Sequence, residues 1–285
     1  MKPKISIVVI TIGRETLYPL IENLLKQKIN FPFKILIIAD GVLLDKNKLR
    51  EDRIKIIKTY TRGYVYNRNV GIKHSEGEIL AFIDDDEIPR NNNWLNNLTR
   101  NLIENKEKIV TSGYKIKLNK EYLTDCISLL GFPGGGAVGF KTMWQVDAKN
   151  YTKHICTGNF AIKKEIFKQE GYFPRDLIGN EDGYLSDKLT EKGYKIKYIE
   201  EATVFHKERA GYINFIKWNY YRGRSAKVYL KKFKRYTKGK TSNRFKSSLN
   251  IIRKVIKEKP IYLPGIIVMM LTQYISQGAG LIFQK

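Results

Sequence analysis

Cysteine is scarce in this chain. Cys126 and Cys156 are the whole supply, too few for a disulfide framework, and with three histidines no Cys/His cluster has zinc-ligand spacing. A reducing compartment is the resulting expectation. A leader pattern is lacking too: after Met1-Lys2-Pro3-Lys4 come only eight strand-like residues, too short for a signal peptide's apolar core and without a small-residue cleavage site. No internal repeat is visible. With 42% hydrophobic and 12% aromatic residues the composition excludes a disordered chain, and 285 residues suffice for one large domain or one domain with an appendage.

Acidic residues are nearly missing from one stretch. From Arg222 to Lys259 fifteen Lys or Arg face a single acid, Glu258, so this block carries much of the net charge of +24 and the first 200 residues are only mildly basic. Such a block suits a phosphate-rich partner, which could be nucleic acid, an anionic membrane surface or a nucleotide diphosphate. Within it Phe245, Leu249, Ile252 and Ile256 recur at helical spacing among lysines, predicting a basic amphipathic helix that stops at Pro260. Charge then vanishes from Ile261 to Gln284, a run longer than the roughly 20 residues of a membrane span. Pro264, Gly265, Gly278 and Gly280 interrupt it, and Thr272, Gln273, Ser276 and Gln277 make a polar stripe. The expectation is a helix lying in a membrane interface or re-entering the bilayer, ahead of packing on the rest of the chain or a dimer partner, with a true span last.

What the chain has in plenty is β-branched, uncharged runs. Ile5 to Ile12, Phe33 to Ala39, Ile54 to Lys58, Ile79 to Ile83 and Ile109 to Tyr114 read as buried strands, and Leu17–Leu25, Tyr66–His74 and Trp94–Leu102 as intervening helices. This alternation predicts an α/β fold with a mostly parallel sheet flanked by helices. Further on, Ile155 to Ile162 reads as a strand interrupted by Gly158-Asn159, followed by a helix through Leu185 and Leu189 and by strands at Lys195–Ile199 and Ala202–Phe205. Lys115 to His154 is less regular. Its Gly131-Phe132-Pro133-Gly134-Gly135-Gly136 segment is expected to be a mobile loop near a substrate. The strand from Ile79 delivers Asp84, Asp85 and Asp86 to its carboxyl end, where ligands of open α/β sheets bind. Three adjacent carboxylates are stable together mainly in water or around a cation or strong donors, so a solvated acidic turn is the competing account.

The ordered set of Thr11 with Arg14, Asp40, Arg68-Asn69-Val70-Gly71-Ile72, Gly77-Glu78-Ile79, Asp84-Asp85-Asp86, Trp94-Leu95, Thr157-Gly158-Asn159 and Glu181-Asp182 resembles glycosyltransferase family 2, inverting enzymes of the Rossmann-like GT-A fold. The resemblance covers roughly residues 5–206. It implies a catalytic domain over 1–210 and leaves 211–285 as a basic, then apolar, helical extension. It implies that Thr11 and Asp40 meet the nucleotide base with Arg68 nearby, that Asp84 binds the ribose, and that Asp86 holds Mn²⁺ or Mg²⁺. Arg14 and Asp85 belong to the same nucleotide-sugar set. His206, at the last strand's end, matches the position of a further metal or diphosphate ligand, whereas His74 and His154 are taken as structural or surface residues. Asn67 stands where family members often have a small apolar residue.

Direct displacement at an anomeric carbon needs a carboxylate opposite the leaving group to take the acceptor's proton. Asp182 is the candidate base and Glu181 its orienting neighbour; both begin a helix, whose dipole favours the ionised form, and helix capping is the alternative account of such an Asp. Asn159 follows Gly158 at an expected strand bulge, where the resemblance implies an acceptor-side contact, and Trp94 is placed in the core. Arg222 and Arg224, interleaved with Trp218, Tyr220 and Tyr221, are candidates for a loop closing over the diphosphate. The implied partners are a nucleoside-diphosphate sugar, UDP-linked by family resemblance, a glycan or lipid-linked acceptor, and an anionic membrane surface reached through the extension. Sugar transfer to polyprenyl phosphate is a rival within the chemistry; a nucleic-acid-binding protein, the rival outside it, leaves Asp84, Asp86 and Asp182 idle. The oligomeric state is not legible.

Overall fold

The computed structural model describes residues 3–60, 63–115, 118, 121–130, 146–175, 177, 179–206, 211–232 and 240–283. Two compact units emerge, one of Met1–Tyr114, Gln145–Asp176 and Glu181–His206, the other of Lys115–Trp144, Leu177–Asn180 and Lys207–Lys285.

The first unit is built on β1 (Ile5–Thr11), α1 (Leu17–Leu25), β2 (Phe33–Asp40), β3 (Ile54–Thr59), α2 (Tyr64–His74), β4 (Ile79–Asp84), β5 (Glu87–Pro89), α3 (Trp94–Ile103), β6 (Ile109–Thr111) and β7 (Tyr114–Lys115). After α4 (Tyr122–Leu129), which belongs to the second unit, follow β8 (Tyr151–Thr152), β9 (Asn159–Lys163), α5 (Lys164–Glu170), α6 (Glu181–Glu191), β10 (Ile196–Tyr198) and β11 (Val204–His206). Eight strands form one sheet in the order β3-β2-β1-β4-β9-β6-β10-β8, and β5-β11-β7 form a small second sheet. The pairs β1–β2, β2–β3, β1–β4 and β6–β10 are parallel, and the uninterrupted apolar runs of β1, β2 and β4 fit strands covered on both faces. Leu17, Leu20, Ile21 and Leu24 of α1 and Trp94, Leu95, Leu98 and Leu102 of α3 bury their apolar stripes in the core that the sheet's Ile5, Ile7, Val9, Ile35 and Ile37 share. Gly71 lets α2 lie close on β1: a Cβ there would stand 2.4 Å from Val8 Cγ1.

Several boundaries differ from the sequence reading. The expected strand Ile109–Tyr114 is split, its halves joining different sheets. The strand expected from Ile155 begins only at Asn159, which is no bulge but pairs in register with Ile83, and it runs antiparallel to both neighbours. Helix α4 falls inside the stretch read as irregular. The Gly131–Gly136 segment lies outside the described residues, as does part of the basic block.

The second unit holds α7 (Tyr212–Lys232), α8 (Lys240–Glu258) and α9 (Leu263–Ile282) beside α4. The polar stripe of α9 turns inward: Gln277 donates to Asn219 Oδ1 of α7 at 2.8 Å, and both residues are buried. Gly223 of α7 and Gly280 of α9 make the crossing possible, since a Cβ at either would stand about 2 Å from the other helix's backbone. The opposite face of α9 is apolar and uncovered, with Leu271 58% and Ile275 71% exposed and Ile267, Val268, Tyr274 and Ile282 along the same stripe. From Pro260 to Ile282 the helical segment is long and apolar enough to cross a membrane by length and composition, although 39% of its most apolar window is buried inside the protein.

Candidate functional site

Register decides which side chains meet. Parallel pairing aligns Thr11 with Ala39, Ile10 with Asp84, and Asp40 with Thr59, so the last residues of β1, β2, β3 and β4 share the carboxyl edge of the sheet. Because β9 is antiparallel, its first residue faces the end of β4, bringing Thr157 and Gly158 to the same edge.

The three aspartates take different environments. Asp84 is about a third exposed and accepts a hydrogen bond from Arg68 Nη2 at 3.1 Å. Asp85 is buried; it accepts from the Thr11 hydroxyl at 2.7 Å and pairs with Arg14. Its carboxyl is pushed up by burial, against the downward pull of Thr11 and Arg14. Asp85 thus positions Thr11 and Arg14 and presents little surface to a ligand. Asp86, also buried, lies 3.3 Å from Arg14 and 3.5 Å from His206 Nε2. Arg14 itself is weighed down by burial but held above its ordinary value by Asp86 and Asp85.

Arg68 bridges two parts of the site. Besides Asp84 it reaches Glu181 Oε1 at 3.7 Å, and although its burial works against the charge, those two carboxylates hold the guanidinium above its ordinary value. Glu181 also accepts from the Thr157 hydroxyl at 3.1 Å. Burial pushes the Glu181 carboxyl up to about 7, with Arg68 opposing and Asp182 adding to the rise. Asp182, its side chain 30% exposed, lies in the first turn of α6 and accepts from the adjacent Gly183 amide at 2.7 Å. Its other oxygen lies 3.7 Å from His154 Nε2.

Not every candidate joins this cluster. Asp40 sits buried at the end of β2 beside Thr59, as an edge residue should. Asn67 accepts from the Thr59 hydroxyl at 2.7 Å, and its buried Nδ2 has no hydrogen-bond partner among the described residues. Asn159 is fully buried: its oxygen accepts from Trp94 Nε1 at 3.1 Å, and its amide donates to Gly113 O and Ala202 O. With both amide hydrogens committed, Asn159 ties β9 to Trp94 and to the chain leading into β11 and has none to offer an acceptor. Arg222 and Arg224 are half-buried on α7 of the second unit, Arg222 with its guanidinium 4.4 Å from the Trp218 ring.

Three participants, Glu87, Tyr114 and His154, escaped the sequence reading, and Gly158 entered it only as a motif residue. Glu87 follows the aspartates and is fully buried; burial first, then Asp84 and Asp86, pushes its carboxyl well up. Gly158 leaves room for these groups, since a Cβ there would stand 2.5 Å from Glu87 Oε1, 2.9 Å from Asp84 Oδ2 and 3.0 Å from the Tyr114 hydroxyl. Tyr114 also packs edge-on against the His206 ring. His154, set aside as structural or surface, stands beside Asp182; its closeness in sequence to Thr157-Gly158 was the available signal. The signal for Glu87 was the unbroken run of four acids.

A divalent cation fits the chemistry of this corner. Asp86 and His206 supply one hard oxygen and one nitrogen at 3.5 Å from each other within a surplus of carboxylates. No group of three or more His, Cys, Asp or Glu able to hold a metal by itself occurs among the described residues, so bound ligand would have to supply the remaining oxygens.

The family model described as "Glycosyl transferase family 2" matches residues 6–171. Chondroitin synthase of Pasteurella multocida is 22% identical over 241 residues, covering 73% of this chain and 25% of that protein. O-antigen chain rhamnosyltransferase RfbN of Salmonella typhimurium is 21% identical over 210 residues, covering 71% of this chain and 66% of that protein. The chain therefore spans between a quarter and two thirds of the length of these curated relatives. Among solved structures, the mannosyltransferase PcManGT from Pyrobaculum calidifontis in complex with GDP-Man and Mn²⁺ is similar with a TM-score of 0.57 over 96% of this chain and 76% of that one, at 17% identity. The likeness is one of fold, the α/β GT-A architecture expected from the resemblance.

Proposed function

The chain belongs to glycosyl transferase family 2, and on that premise we propose that it moves a sugar, of hexosyl or N-acetylhexosaminyl type, from a nucleoside-diphosphate donor to an acceptor hydroxyl with inversion at the anomeric carbon. The observation that carries this reading is the convergence, on one sheet edge, of Asp84 and Asp86 with the Arg68–Glu181 pair and the accessible Asp182 carboxylate.

In this reading Thr11, Asp40 and Asp84 bind the nucleoside, with Arg14 and Arg68 orienting the carboxylates around it. Asp86 and His206 would hold the divalent cation, which when bound offsets the negative charge that develops on a diphosphate leaving group. A nitrogen ligand suits Mn²⁺ better than the strictly oxygen-seeking Mg²⁺. Asp182 accepts the proton of the acceptor hydroxyl on Oδ2, and His154 Nε2, 3.7 Å from that oxygen, helps hold its orientation. Residues 1–210 serve as the catalytic domain and 211–285 as an extension that rests on the inner face of the cell membrane, near a lipid-linked or cell-surface glycan acceptor. The uncovered apolar stripe of α9 and the lysines of α8 support that placement.

The test is thermal unfolding with UDP, GDP, CDP or TDP, with and without Mn²⁺, on wild type and Asp86→Ala. A uridine nucleotide is the family-based expectation, and the neighbouring structure's GDP-Man makes guanosine the first alternative. Metal-dependent stabilisation by one nucleotide, about 3 kcal/mol at a hundredfold excess over Kd and absent from the variant, supports the reading. Indifference to all four nucleotides removes its basis.

A further inference from the structure

Helix α2 presents side chains on two faces. Arg68 turns inward to Asp84 and Glu181. Tyr66, Val70, Lys73 and His74 fall at helical spacing on the outward side, where the chain at Tyr172–Arg175 lies against them and encloses a cleft of about 400 Å³. That volume falls in the range of pockets that hold small ligands, roughly 300–1,000 Å³. Six of its eight lining residues are aromatic or basic, namely Tyr66, Tyr172, Phe173, Lys73, His74 and Arg175, and none is acidic.

The cleft is built and not merely left over. Asn69 of α2 clamps the backbone of Phe173, donating to its carbonyl at 2.8 Å and accepting from its amide at 3.0 Å, both bonds buried. Phe167 of α5 supports the two neighbouring rings, with centroids 6.4 Å from Tyr172 in a stacked arrangement and 5.9 Å from Phe173. Lys73 Nζ stands 5.6 Å from the Tyr172 ring, while Tyr66, Tyr172, Lys73, His74 and Arg175 all remain exposed. An aromatic wall offers a flat apolar face to the C–H side of a sugar ring, and cations beside it favour a ring that carries negative charge.

We propose that this cleft binds an anionic sugar unit of a glycan, a uronate or an acid-substituted hexose. Its carboxylate meets Lys73 and Arg175, and its ring lies on Tyr66 and Tyr172. As a docking point for the acceptor chain the cleft rests on the transferase reading above; as a saccharide site it does not, because it shares no side chain with the donor corner.

Calorimetric titration of the full chain, without nucleotide or metal, tests it with three probes: a uronate-containing tetrasaccharide, the same tetrasaccharide with its carboxyls reduced to alcohols, and inorganic pyrophosphate. The expected result is that the uronate form binds and the reduced form binds at least tenfold more weakly. Lys73→Gln/Arg175→Gln and, separately, Tyr66→Ala should each weaken the uronate form about tenfold or more. All of these side chains are exposed, so the variants should melt with the wild type, and their stabilisation by nucleotide and Mn²⁺ should be unchanged. Equal binding of the two tetrasaccharides, or undiminished binding by the double variant, overturns the proposal. So does pyrophosphate binding as tightly as the tetrasaccharide, which would make the cleft a phosphate site. A normal nucleotide response with no saccharide binding refutes the cleft alone; saccharide binding with no nucleotide response refutes the transferase reading alone.

Discussion

Replacing Glu181 with glutamine should change how stability depends on pH by a calculable amount. The carboxyl is buried between Arg68 and the Thr157 hydroxyl, and burial outweighs Arg68 to push it up to about 7 from an ordinary 4.5. In the unfolded chain the same group titrates near its ordinary value. Between the two values the folded protein keeps a proton that the unfolded chain has released, so stability falls as pH rises through that window, and the loss is complete above it. A shift of this size is worth about 3 kcal/mol, most of which appears between about pH 5 and about pH 9. Glutamine keeps the shape and can still accept the Thr157 hydrogen bond, but it has no proton to lose. Urea unfolding at a series of pH values should therefore show wild type losing about 2–3 kcal/mol more than Glu181→Gln across that range. Glu87 and Asp85 are also raised by burial and slope the curve the same way in both proteins, so the difference reads Glu181 together with the Arg68 and Asp182 charges that face it. Parallel curves would mean that Glu181 is ionised throughout and that Arg68 dominates its surroundings, which refutes the reasoning.

Asp182→Asn should lower kcat by roughly 10²–10⁴ while leaving nucleotide-dependent stabilisation intact; loss of both would move Asp182 from chemistry to donor binding. Gly158→Ala drives a methyl group into Glu87, Asp84 and Tyr114 and should destabilise by about 1–3 kcal/mol and weaken nucleotide binding, with a wild-type melting curve and affinity as the contrary result. Asn159→Ala strands the Trp94 indole N–H and two carbonyls, at about 1–3 kcal/mol for a stranded group, and a mild effect in chemical denaturation would count against its cross-tying role. Leu271→Asp/Ile275→Asp, on exposed positions, should abolish sedimentation with anionic vesicles and leave the melting temperature unchanged; vesicle binding that survives would mean that the apolar stripe has another use.

Much of this was written plainly in the chain. Strands without charge and helices with leucines at regular spacing announce themselves, and an acid run at a strand's end marks the edge where ligands gather. Strand direction is different. Buried parallel and antiparallel strands share one pattern, so nothing in Asn159–Lys163 told which way it runs, and the whole surrounding of Asn159 followed from that. Short helices such as Lys164–Glu170 offer too few turns for a period to show. Asp85 looked as much a ligand as its neighbours, and only the burial of its carboxylate against Thr11 and Arg14 separates it from them. His154 met Asp182 through folding alone, twenty-eight positions away in sequence.

The reversed strand β9 leaves the molecule with an anchorage that a wholly parallel sheet would lack. Strand β6 ends at the carboxyl edge, and β9 starts there. The segment between Thr111 and Asn159 thus begins and ends at the carboxyl edge of the sheet. The pairings of β1, β2, β3 and β4 are all made by residues upstream of that segment, although its own β7 and β8 also join the sheets. In the transferase reading proposed above, the donor-side residues on β1, β2 and β4 would therefore be held by the core independently of that segment's length.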